Sequence, residues 1–195
     1  MTSRQIEKIK NEILKIKRAL TADKRRWGGQ WHDGRGLRYL QPELYVKLQD
    51  YDGALKYFKW FDKNFPDDCG YPIFLFEWTL TLFKTGQIKE AEKKAFQTFF
   101  ANTYLFDKFL NKEFLHFDKL EDCNWQSVEV TEDFNYSKDQ DDLKDFADWL
   151  SQYISSEKFY KKANEFIEIE HRLKTEPVGQ TRNALVNRLY ELKDK

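Results

Sequence analysis

Net charge is the first thing missing from this chain of 195 residues: 33 Lys and Arg are matched by 33 Asp and Glu. No overall field draws it to nucleic acid or to an anionic membrane. Cysteine is scarce as well. Cys69 and Cys123 are the only two, they form no Cys-x-x-Cys pair, and two free thiols in a reducing, cytoplasmic setting is the reading they support. Long apolar runs are also absent: nothing approaches the roughly 18 residues of a membrane span. In the first twenty positions Ile and Leu alternate with Lys and Glu at helical spacing, which is not the core of a signal peptide. Finally, the sequence has no G-x-x-x-x-G-K-[ST], no G-x-S-x-G, no H-E-x-x-H and no Cys/His metal spacing. No cofactor, no metal and no catalytic set is expected.

What is present is aromatic and charged: 17% Phe, Trp and Tyr, and 34% Asp, Glu, Lys and Arg. The charge is unevenly placed. Residues 1–38 carry 11 basic and 4 acidic side chains, a net of +7, whereas 118–148 carry 3 Lys and 11 acidic residues, a net of −8. Attraction between these poles inside the chain is the simpler expectation, and a partner facing each pole is the alternative. The length suits one domain, 1–195.

Hydrophobic spacing divides that domain. Over 1–22, Ser3 reads as the N-cap of an amphipathic helix with Ile6, Ile9, Ile13, Ile16 and Leu20 on one stripe. The stripe lacks the aromatics of a membrane-surface helix, so it is expected to pack on the core. Over 23–36 lies an Arg/Trp/Gly segment, whose four glycines predict a loop. Over 37–102 the period predicts helices at 37–49, starting or kinked at Pro42, and at about 52–64, ended by Pro66. A second pair follows at 72–84 and 88–100. The stretch 73–83 is apolar nearly all round except for Glu77, Thr79 and Thr81, which predicts a central helix. Over 103–142 we expect an aromatic helix at 104–115, then an acidic irregular segment with a short extended piece at 126–131. C-terminal helices fill 143–195, broken at Ser155 and Ser156.

Tyr51, Ala54, Phe58, Phe61 and Pro66 follow one another in an order that Gly86, Ile88, Ala91 and Ala95 partly repeat. Over roughly 36–100 this resembles the tetratricopeptide repeat (TPR). Ala54 and Ala91 are 37 positions apart, against about 34 in the family, and 155–170 is at best a degenerate third copy. The resemblance implies an all-α fold of antiparallel helix pairs stacked as a short TPR-like superhelical array, with an added N-terminal helix and C-terminal helices. It also implies a non-catalytic scaffold or adaptor whose partner is another protein or peptide. The Lys/Asn pattern with which some members clamp a terminal carboxylate is not evident. Ile73, Phe76, Leu80 and Phe83 would line the concave face and are too apolar to stand open. The chain's own N-terminal or C-terminal helix is expected to cover them.

One segment concentrates residue types that loops seldom need: Lys24, Arg25, Arg26, Trp27, Trp31, His32, Arg35 and Arg38. Two readings compete. Trp27 and Trp31 plug the end of the array, with Arg35 or Arg38 paired to an acid such as Asp50 or Asp67. Alternatively, arginine and tryptophan together bind nucleic acid or a nucleotide. An enzyme centred on His32 and Asp33 is a lesser alternative, because the pair lacks a third group to orient a base. Elsewhere, Glu168 and His171 share a helix face and read as a surface ion pair, and Cys69 reads as a structural thiol in a turn.

Overall fold

The computed structural model describes residues 1–121 and 123–194, and these form helices, 3-10 turns and irregular connections without a strand. The fold is all-α, with successive helices packed as pairs. Helix α1 (Ser3–Arg26) begins one residue earlier than Ser3 predicts as a cap. Thr2 is the N-cap, its hydroxyl accepting from Gln5 N–H at 3.3 Å while the Gln5 side chain accepts from Thr2 N–H at 2.7 Å. The helix continues through Arg26, so Lys24, Arg25 and Arg26 are its last turn and not loop. Gly28 and Gly29, both at positive φ, then turn the chain.

A 3-10 turn (Leu37–Tyr39) leads into α2 (Gln41–Lys47), which carries Pro42 in its first turn, where a missing N–H costs nothing. Asp50 caps α3 (Tyr51–Asn64) through Gly53 N–H at 2.9 Å. The second pair, α4 (Pro72–Lys84) and α5 (Ile88–Ala101), packs closely because Ala91 and Ala95 are fully buried and the hydroxyls of Thr79 and Thr98 meet at 3.1 Å.

The expected aromatic helix is short: α6 spans only Leu105–Phe109. Asn111 adopts a left-handed φ of 52°, and Lys112 N–H returns to Asp107 C=O at 2.9 Å, a helix stop that apolar periodicity does not reveal. The extended piece expected at 126–131 is instead two 3-10 turns, Asn124–Gln126 and Val128–Asp133. The Asn102 amide donates to the carbonyls of Trp125 and Ser127 at 2.8 and 2.9 Å, in place of a strand neighbour. After a last 3-10 turn (Asp141–Leu143) come α7 (Lys144–Ile154), α8 (Glu157–Leu173), capped by Ser156, and α9 (Gln180–Asp194). The described residues thus form nine α-helices and four 3-10 turns.

Helix α4 is central and separates two aromatic clusters. On one side Phe74 and Trp78 meet Phe58 and Phe61, with Trp78 stacked on Phe58 at 4.7 Å. Ile13, Ile16 and Leu20 of α1 close that cluster. On the other side Phe76 packs on Phe109, Phe134 and Phe146, and Phe83 packs on Phe146 and Trp149. The apolar row of α4 is therefore covered by α7 together with the irregular segment before it. No ion pair among the described residues joins the two charged poles. Among the described residues, ion pairs of the acidic segment run to Lys84, Lys119, Lys144, His171 and Lys174, all outside residues 1–38.

Candidate binding surface at the junction of α1 and α3

The eight residues singled out between 24 and 38 divide into an inward and an outward set. Trp31 turns inward. Its Nε1 donates to Asn64 Oδ1 at 2.9 Å, its ring meets Trp60 edge-on at 5.2 Å, and Lys24 Nζ lies 4.4 Å above it. Trp27 does not plug the core. It is 48% exposed and stacks on His32 with centroids 4.3 Å apart, because α1 persists to Arg26 and directs the ring outward at the helix end. Arg25, Arg26 and Arg35 are exposed beside it.

Arg38 is the structural arginine, and its acids are not the expected Asp50 or Asp67. Its Nε donates to Asp68 Oδ2 at 2.7 Å, and one terminal nitrogen donates to Asp33 Oδ2 at 3.1 Å. Asp33, at a left-handed φ of 36°, also accepts the N–H groups of Leu37 and Arg38, each at 2.9 Å. Its own N–H donates to Asp23 at 2.8 Å. The Asp33 carboxylate is thus fully used in holding the 3-10 turn, which argues against it as the partner of a catalytic His32. Tyr39 donates its hydroxyl to Asp68 at 2.6 Å. Burial pushes the Tyr39 phenol up to about 12, and the hydrogen bond to Asp68 adds to that. Burial opposes ionisation of Asp68, but hydrogen bonds from Tyr39, Gly70 N–H and Arg38 outweigh it and hold its carboxyl below the ordinary value.

Behind this loop, α1, α2 and α3 enclose a cavity of about 450 Å³. Trp31, Tyr45, Tyr57 and Trp60 give it aromatic walls, with Lys17 and Lys56 on its border. Lys17 Nζ donates to the Tyr45 hydroxyl at 2.8 Å, and the Tyr57 hydroxyl donates to Arg38 C=O. Burial, then the negative charge of Asp33, raises the Tyr57 phenol, so it stays a neutral donor. Gln41 is buried in the wall, and its Oε1 has no hydrogen-bond partner among the described residues. Gly53 is fixed by space: a Cβ there would lie 2.3 Å from Asp50 Oδ2 and 2.7 Å from Tyr45 Cε1. Sequence reasoning does not pick out Lys17, Gln41, Tyr45, Tyr57 or Trp60. The available signal is that Tyr57 and Trp60 flank the stripe of Phe58 and Phe61, giving α3 a second aromatic face.

No protein-family model matches this sequence, and no curated protein or solved structure gives a match. The remaining candidate groups are dispersed. His171 pairs with Asp118 at 3.0 Å and not with Glu168; Cys69 and Cys123 are free and exposed. No cluster of three or more His, Cys, Asp or Glu suited to a metal occurs among the described residues. No described helix is long and apolar enough to cross a membrane.

Proposed function

We propose that this chain is a TPR-like protein-interaction module of the cytoplasm, without catalytic activity, which receives a peptide of another protein in the α1–α3 cavity. One observation carries the reading. Four aromatic side chains line a space of about 450 Å³, ample for an aromatic side chain and its neighbours, and the buried Gln41, whose Oε1 lacks a donor among the described residues, is part of its wall. Lys17 and Lys56 line the cavity against a single carboxylate, Asp50, which is engaged in capping α3, and Lys24 lies over the Trp31 ring of its wall. Charge complementarity therefore selects an aromatic side chain flanked by Asp or Glu. The small-residue packing of α4 and α5 and the pairwise order of the helices support the TPR-like assignment.

Selection from a random peptide library tests this. Acidic, aromatic-bearing peptides are expected to bind, to weaken with salt, and to lose affinity for Trp60→Ala. Peptides that bind Trp60→Ala as well as the parent chain would overturn the reading.

The exposed stack of Trp27 on His32, in a segment whose Arg25, Arg26 and Arg35 are also exposed, favours a second reading: binding of single-stranded nucleic acid by stacking and phosphate contacts. Salt titration of short RNA and DNA separates the two. Affinity that falls steeply with salt and disappears in the Arg25→Ala/Arg26→Ala double variant supports it. Undiminished binding in that variant counts against it.

A further inference from the structure

Helix α4 carries three polar residues in an otherwise apolar run, and two of them explain themselves. Thr79 and Thr81 return their hydroxyls to the backbone at Leu75 and Glu77, at 2.9 and 2.8 Å. Glu77 cannot. It is 1% exposed; Oε1 accepts the Tyr136 hydroxyl at 2.7 Å, while Oε2 has no hydrogen-bond partner among the described residues. Such a group costs several kcal/mol to bury unsatisfied, yet the helix places it in the middle of the molecule.

Glu77 lines a cavity of about 330 Å³, distinct from the α1–α3 cavity, between α2, α4 and the segment 125–136. Tyr39, Tyr71 and Trp125 supply its aromatic wall, with Tyr71 and Trp125 centred 5.6 Å apart and Tyr39 edge-on to Tyr71 at 5.2 Å. Glu43 and Asp133 are the other charged groups of the lining, and neither Lys nor Arg contributes to it. Glu43 pairs with Lys47 at 2.6 Å outside the cavity. Trp125, 54% exposed, stands at the rim.

Carboxylates without an opposing cation exclude an anionic ligand. The lack of a metal-type cluster among the described residues turns the reading away from a bare metal ion. Aromatic faces around an acid suit an organic cation, whose charge the rings attract and whose methylenes they cover. We propose that this cavity binds a primary alkylammonium group, which donates to Glu77 Oε2 once the carboxylate rotates to bring that sheltered oxygen to the cavity, while its alkyl chain lies against Tyr71 and Trp125. Burial pushes the Glu77 carboxyl up to about 8, lowered in part by the Tyr136 hydrogen bond, raised by Glu43 and lowered by Lys47. Cation binding therefore releases a proton near neutral pH.

The ammonium has two sources, a free amine or the lysine side chain of a peptide. Calorimetry with cadaverine, with Nα-acetyl-lysine amide and with n-pentanol, in two buffers of different ionisation enthalpy, distinguishes them. One or both ammonium probes are expected to bind the full chain with proton release, and pentanol is not. Cadaverine alone assigns a free amine, and the lysine derivative alone or both together assigns a site open to lysine. Glu77→Gln and Trp125→Ala, each verified as folded by circular dichroism, should weaken binding by roughly tenfold or more. Trp125 stands at the exposed rim, so its variant keeps the test usable if Glu77→Gln perturbs the core. Failure of both probes to bind, or equal binding by the folded variants, would overturn the proposal. The outcome is independent of peptide binding at the α1–α3 cavity.

Discussion

Arg38 and Asp68 lie 30 positions apart, and the 2.7 Å bond from Arg38 Nε to Asp68 Oδ2 ties the loop after α1 to the turn after α3. Asp33 holds the same guanidinium from the other side at 3.1 Å. Both ends are mostly sheltered from water, so the pair is not a solvated surface bridge. Arg38→Ala leaves two acids facing each other and is expected to lower stability by about 2–3 kcal/mol. Arg38→Lys should recover little, since an ammonium cannot serve both carboxylates in the fork geometry. Asp68 has a depressed folded pKa, so its contribution is present above the ordinary carboxylate range and lost as pH falls through the lower folded value. Thermal melts from neutral to acidic pH should show Asp68→Asn and the parent chain converging at the acid end. A constant gap would refute the coupling.

Trp31 and Trp27 should separate sharply in the same assay. Trp31→Ala removes packing on Trp60 and Phe65 together with the bond to Asn64, an expected loss of about 2–4 kcal/mol for a half-buried indole. Trp27→Ala removes an exposed stack and should change stability by no more than about 0.5 kcal/mol. Equal losses would mean that Trp27 anchors the loop as well.

Gly53 offers a test of packing by a single atom. Its φ is ordinary, so the objection to a side chain is the contact with Tyr45 and Asp50 alone. Gly53→Ala would normally gain up to about 1 kcal/mol in a helix. Here the Cβ must displace the Asp50 cap, and chemical denaturation should show a net loss of about 1 kcal/mol or more. A stabilised variant would show that the cap can move freely.

How far these features are legible in the sequence depends on the distance over which each is decided. Helices α3, α4 and α5 follow from local period, Pro66 and Pro72, and the apolar perimeter of α4, so their bounds can be placed nearly to the residue. The stop at Asn111 is hidden because it rests on a left-handed backbone, for which no glycine gives warning. The 3-10 turns at 124–133 depend on the Asn102 side chain, more than twenty positions away. Among the loop residues, chemistry marks Trp31 and Arg38 as notable, but only the tertiary fold decides that Asp68 and Asn64 receive them. The α1–α3 cavity is not legible at all, since its walls come from helices whose facing stripes sequence alone cannot pair.

Alkaline pH should unfold this protein cooperatively. Tyr39 and Tyr51 are each pushed up to about 12, first by burial and then by nearby carboxylates, and Tyr57, Tyr71, Tyr136 and Tyr153 are raised as well. A phenol with a raised folded pKa contributes stability that is complete below its unfolded value of 10.0 and lost as pH climbs toward the folded one. Stability should therefore drop steeply between pH 10 and about 12. Phenolate absorbance should rise together with the loss of helical circular dichroism. Ionisation of most tyrosines with the helices intact would contradict the burial of these rings.

Glu77 predicts the opposite of an ordinary acidic residue. Its carboxyl is raised by burial from 4.5 to about 8, so between those values the folded chain keeps a proton that the unfolded chain has released. Stability must then fall as pH rises through that window. Glu77→Gln removes the titration and preserves an acceptor for Tyr136, although its amide brings a buried donor that costs about 1–3 kcal/mol if unmet. Each tenfold difference in proton affinity between the folded and unfolded chains is worth about 1.4 kcal/mol. The parent chain's penalty above pH 8 therefore exceeds the cost of the amide. Glu77→Gln is thus expected to be the more stable protein above pH 8, by about 2–4 kcal/mol, and the weaker one below pH 4.5, by the ~1–3 kcal/mol of the unmet amide. Urea denaturation across that range measures the crossing directly. If the two stability profiles run parallel instead, Glu77 is charged in the folded protein throughout and its second oxygen must have a partner.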